Sequence, residues 1–124
     1  MNEASEKIVY ICTHAGEDPE RASMPSVMSN AALAMDIQAT IALQGNGVYL
    51  ARKGYADNVL PGGGFPHIKE LINMFLELGG KLKVCVPCIK ERKIEESDLI
   101  EGAETTAAAA LTEEMLAANR CLVY

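Results

Sequence analysis

The chain has no tryptophan, two histidines, and aromatic residues at only 5% of its 124 positions. Platforms for stacking bases or sugar rings are therefore in short supply. Positive charge is scarce too: 11 lysines and arginines stand against 17 aspartates and glutamates, a net charge of −6. Binding nucleic acid requires a basic face to neutralise phosphates, so no direct nucleic-acid partner is expected. No apolar run approaches the roughly 18 residues of a membrane span. The opening MNEASEKIVYIC is acidic and lacks the apolar stretch of a secretory signal. The expectation is a cytoplasmic protein that does not engage a membrane.

Phosphate-binding glycine patterns are missing as well. The ten glycines nowhere fall into G-x-G-x-x-G or G-x-x-x-x-G-K-[ST]. A nucleotide or flavin is thus unsupported, and no cofactor is expected. What the chain does have is 49% hydrophobic and 23% charged residues, enough for one buried core without staples. Residues 1–124 read as a single domain. In a reducing cytoplasm its four cysteines should be thiols.

Short β-branched runs alternate with helical patterns. KIVYICT (7–13) reads as a buried strand that ends in the polar loop HAGEDPER. From Ala22 to Met35, apolar residues recur at helical spacing, and Pro25 fits only if it lies in the first turn. IQATIAL (37–43) is a second strand, closed by the turn QGNG. VYLARKG suggests a helical turn, and LPGGG a loop. Phe65 to Leu78 form an amphipathic helix stopped by Gly79 and Gly80. KLKVCV (81–86) is a third strand, after which a helix begins at Pro87. An acidic turn, a short strand near 103–106, the helix AAAALTEEMLAA and the strand RCLVY complete the chain. Such alternation implies right-handed β-α-β units, a mostly parallel five-stranded sheet, and a three-layer α/β/α sandwich. The loops after the first three strands then share one rim, where sheets of this kind bind ligands.

On that rim lies GGKLKVCVPCIKERK, with Cys85 and Cys88 at a strand-to-helix junction. The positive end of a helix starting at Pro87, with Lys83, Lys90 and Arg92 nearby, would favour a Cys85 thiolate. Cys88, one helical turn on, could approach it. Cys12 and Cys121 lie inside strands and read as small core hydrophobes. A zinc site would need His14 and His67 to converge on the pair. His67 starts a helix expected to run from the opposite edge, so no metal is expected. Cys-Val-Pro-Cys also resembles a thioredoxin dithiol. It follows the third strand rather than the first, though, with no tryptophan beside it and no proline after Pro87.

KIVYICTHAGEDPERASMP, ALQGNGVYLAR, LGGKLKVCVPCIKERKI and RCLVY together resemble the DsrE/DsrF-like family, sulfur-relay proteins that include the TusD-type sulfurtransferase subunits. The most specific element is the strand ending in Val-Cys before a basic helix. In this chain Arg-Lys-Ile stands where Arg-Gly-Ile is more usual. The resemblance implies a flavodoxin-like three-layer sandwich assembled as a trimer or hexamer. It also implies that Cys85 accepts sulfane sulfur as a persulfide and relays it between donor and acceptor proteins. Cys88 falls where some members have alanine and others a second cysteine.

His14 could donate a proton or anchor an anion such as thiosulfate, or be a solvated loop residue. Asn46 and Gly47 could line the same pocket, or form only a turn. Three readings of function stay open: a persulfide carrier on Cys85, an oligomeric ligand- or partner-binding module without catalysis, and a dithiol oxidoreductase using Cys85 and Cys88.

Overall fold

The computed structural model describes residues 6–124. Five strands, β1 (Lys7–Cys12), β2 (Gln38–Leu43), β3 (Lys81–Cys85), β4 (Ala103–Thr106) and β5 (Arg120–Val123), form one sheet in the order β4-β3-β2-β1-β5. Every pairing is parallel. The helices are α1 (Pro19–Ala34), α2 (Ile68–Glu77), α3 (Val86–Glu91) and α4 (Ala108–Ala117). Two 3-10 turns, Gly45–Ala51 and Ala56–Asn58, fill the long connection after β2.

Strand order and handedness distribute the helices. From β1 to β4 the chain steps in one direction across the sheet, so right-handed crossovers put α1, α2 and α3 on one face. The step from β4 back to β5 reverses, which sends α4 to the other. The packing agrees. Tyr10, Ile41 and Leu82 of the sheet share a cluster with Phe75 of α2 and Ile89 of α3. On the opposite face Val9, Ile11 and Ala42 pack against Leu111 of α4, with only Met115 and Ala118, both partly buried, beside it. That thin cover explains a departure from expectation: Cys12 is buried, but Cys121, on edge strand β5, is exposed.

Helix boundaries moved for identifiable reasons. α1 starts at Pro19, three residues before the apolar pattern, because Asp18 caps it by accepting the Arg21 amide at 3.2 Å. Pro19 occupies the first turn, where its missing N–H is harmless. Pro25 is consequently inside the helix and buried, and it deprives the Arg21 carbonyl of an intrahelical donor. α2 starts at Ile68 with His67 as its cap, Nδ1 accepting the Lys69 amide at 3.2 Å. In a parallel sheet each helix runs antiparallel to the strands. His67 therefore belongs to the carboxyl-end side, not the opposite edge expected from the sequence. Among the described residues no three His, Cys, Asp or Glu side chains form a metal-binding group.

α3 ends in a Schellman turn: Ile94 N–H bonds to Ile89 O at 2.9 Å and Lys93 N–H to Lys90 O at 3.2 Å. This turn requires a left-handed residue, and Lys93 adopts φ 60°. It is the position where Arg-Gly-Ile sequences have glycine. A lysine Cβ is strained there by about 1 kcal/mol. Lys93→Gly should accordingly raise stability by about 1 kcal/mol in a denaturant titration, and unchanged stability would show that the turn carries no strain.

Candidate functional site

The chain crosses the carboxyl rim after each of the first three strands, and three backbone constraints shape what it presents. β3 ends at Cys85, which serves as the cap residue of α3, with Pro87 in the first turn. The turn after β2 is drawn tightly onto β1. Gln44 N–H bonds to Cys12 O at 3.0 Å, and Gly47 lies so close that a Cβ there would stand 2.2 Å from the same oxygen. Between β1 and β5, where the crossovers diverge and ligands ordinarily bind, Tyr124 O accepts Thr13 N–H at 3.2 Å and Thr13 Oγ1 at 2.6 Å. That crevice is closed by the chain itself. The thiol pair sits two strands away.

Cys85 and Cys88 are both half-buried, and their sulfurs are 2.7 Å apart, with the Cys88 thiol donating to Cys85. This lies between the bonded S–S length of about 2.05 Å and ordinary non-bonded contact. Gly45 N–H donates to Cys88 Sγ at 3.3 Å, tying the pair to the turn after β2. Arg92, one turn beyond Cys88, donates from Nη1 to Cys88 O at 3.2 Å and from Nη2 and Nε to Asn46 Oδ1 at 3.1 and 3.3 Å. Its guanidinium also lies 5.8 Å from the Tyr49 ring centre. Asn46, expected to line a pocket, instead holds Arg92 beside the thiols. Gly47 is buried against β1 rather than facing the pair.

The thiolate expected at Cys85 does not prevail. Burial pushes its thiol above the ordinary 9.0, and so does the Cys88 sulfur beside it, through a shared hydrogen bond in which Cys85 keeps its proton and through the like charge of a Cys88 thiolate. The Cys88 amide and the Arg92 guanidinium pull the other way and are outweighed. α3 has only six residues, so its dipole cannot offset the loss of water. Alkylation of Cys85 by iodoacetamide, followed by peptide mass spectrometry, should therefore still be accelerating above pH 9.0. Arg92→Gln should move the profile higher; a plateau near neutrality would contradict this. Cys12 is inert by comparison, its thiol pushed up to about 12, chiefly by burial.

His14 follows β1 on the same rim, but its hydrogen-bond partner is Glu17, at 2.6 Å from Nδ1 to Oε2. Partial burial raises the Glu17 carboxyl, but the Ala15 amide and the His14 ring outweigh that and hold it below the usual range. Among the described residues no hydrogen bond joins this couple to Cys85 or Cys88; the His14 carbonyl accepts the Cys12 thiol at 3.4 Å. The anchoring of Arg92 by Asn46 and the role of Glu17 escaped the sequence reading. Cys88-x-x-x-Arg92 and His14-x-x-Glu17 have helix-like spacing, the available hint for both.

Fold and site thus define an all-parallel α/β protein with paired thiols at the end of its third strand. The chain belongs to the DsrE/DsrF-like family, whose sequence model matches residues 6–124. An uncharacterised protein of Methanocaldococcus jannaschii is 39% identical over 98 residues, 79% of this chain and 82% of that protein. One from Methanopyrus kandleri is 31% identical over 102 residues, 82% of this chain and 80% of that protein. The fold is that of the ychN protein from E. coli, with a TM-score of 0.81 at 21% identity over 96% of this chain and 99% of that one.

Proposed function

We propose that this protein is a cytoplasmic sulfur carrier. Cys85 accepts sulfane sulfur as a persulfide, and the sulfur is then relayed from a donor to an acceptor protein. The observation that carries the reading is the position of Cys85: at the end of β3, half-exposed on the carboxyl rim, with a second thiol and a guanidinium close by. A persulfide carrier requires an accessible sulfur, a cation to favour its anionic form, and walls that slow reductants. Arg92 and the Gly45–Gly47 turn meet the second and third needs. His14 is assigned to the approach of an anionic donor, on the adjoining loop.

Intact mass after treatment with glutathione persulfide tests the reading. Cys88→Ser, which keeps a hydroxyl to accept the Gly45 amide, should gain one sulfur atom that thiol reductant removes. If it gains none, the non-catalytic binding module becomes the better reading. The contact between the sulfurs favours a second reading, a dithiol oxidoreductase, which would need both cysteines and no added sulfur.

Assembly belongs to the same proposal. Leu116, Leu122 and Val123 are exposed around the thinly covered side of the sheet and edge strand β5, and a homotrimer or hexamer would bury them. Light scattering at micromolar concentration should give three or six times the 13.3 kDa chain mass. A monomer would count against it.

A further inference from the structure

The placement of Cys88 raises a question that a carrier built on one cysteine does not. Its sulfur lies 2.7 Å from Cys85 Sγ, the atom that becomes the inner sulfur of a persulfide. Its own position is set by two other elements. The Gly45 amide donates to its Sγ, and Arg92, clamped by Asn46, holds its carbonyl. A thiol so placed is the attacking partner in thiol–disulfide exchange, and its reaction is intramolecular.

Resting on the carrier reading, we propose that Cys88 cleaves the Cys85 persulfide and that the sulfur leaves as sulfide when no acceptor protein is engaged. Cys88 Sγ attacks Cys85 Sγ and a Cys85–Cys88 disulfide forms. The bond from Cys85 Sγ to the outer sulfur breaks, and its electron pair departs with that sulfur, which takes up the Cys88 thiol proton. Persulfide and thiol thus become disulfide and hydrogen sulfide. The two cysteine sulfurs together lose the two electrons that the outer sulfur gains. No external oxidant enters. A separate step, consuming a cellular dithiol, restores the reduced pair. The Gly45 amide assists by stabilising negative charge on the attacking Cys88 sulfur, and Arg92 keeps the first turn of α3 in place.

The test is a single-turnover reaction of reduced protein with glutathione persulfide under nitrogen, a donor that leaves as glutathione. Sulfide is trapped and intact mass recorded for the wild type, Cys88→Ser and Cys85→Ser. The wild type should release about one sulfide per chain above the Cys88→Ser background and end two hydrogens lighter than the dithiol. Cys88→Ser should keep its added sulfur, and Cys85→Ser should neither load nor release. A wild type that retains added sulfur as Cys88→Ser does, with no excess sulfide, overturns the proposal and leaves the carrier reading standing. A Cys88→Ser chain that never loads, with circular dichroism matching the wild type, overturns the carrier reading itself. Cys88→Ala, which cannot accept the Gly45 amide, should also retain sulfur; if it discharges, the attacking group is not Cys88.

Discussion

Cys85→Ser should abolish persulfide formation outright, while the protein stays folded and Cys12 and Cys121 remain as thiols. The loss is expected to be complete because Cys12 is buried, Cys121 lies off the rim, and Cys88, though half-buried beside Arg92, directs its sulfur at the Gly45 amide and at residue 85. Cys12 is buried, with its thiol pushed up to about 12, so its thiolate is negligible at neutral pH. Cys121 is exposed, but it lies on edge strand β5 away from the rim turns and Arg92. Serine is nearly isosteric and can still accept the hydrogen bond from Cys88, so stability should change little. Intact mass after donor treatment checks this, with Cys88→Ser as the loading control. Equal loading in Cys85→Ser would move the carrier role to another cysteine.

The second large effect is on stability. Gly47→Ala should cost about 3 kcal/mol, the upper end for forcing a methyl group into a packed position. The new Cβ would stand 2.2 Å from the Cys12 carbonyl oxygen, which also accepts the Gln44 amide. Neither partner is a flexible side-chain tip; both are backbone of the central sheet and its turn. Relief requires the turn to lift from β1, carrying Gly45 away from Cys88 and Asn46 away from Arg92. For a chain of this length 3 kcal/mol corresponds to a drop of about 12 °C in the unfolding midpoint. Asn46→Ala, at an exposed position, should change stability by less than about 0.5 kcal/mol, separating the packing effect from the loss of the clamp. A Gly47→Ala protein as stable as the wild type would mean that the turn has slack not apparent in its geometry.

Much of the fold was legible because hydrophobic period and punctuation agreed. The β-branched runs 7–13, 37–43 and 81–86 and the glycine stop at 79–80 lie within a residue or two of the observed strand and helix ends. The start of α1 was read three residues late. Its first turn, DPER, is polar and carries no apolar period, and the cap at Asp18 acts through one hydrogen bond. The burial of Cys121 was misjudged for another reason. A strand pattern does not say whether its face will be covered, and β5 is at an edge with α4 as its only cover.

The candidate site divides in the same way. The sequence by itself determined that Cys85 would end a strand and Cys88 follow one helical turn later, since both facts depend on spacing along a continuous chain. Proline and glycine chemistry determined where the turns would fall. Only the tertiary structure decided that the two sulfurs meet, that Gly45 donates to Cys88, and that Asn46 restrains Arg92. It also decided the direction of the Cys85 shift: burial, a property of the packed protein, outweighs the dipole of a six-residue helix and the charge of Arg92. Contacts between residues some 40 positions apart, such as Gly45 with Cys88, arise when β2 and β3 pair in register. Local propensity contains no record of that register, because it is the buried sheet as a whole that selects it.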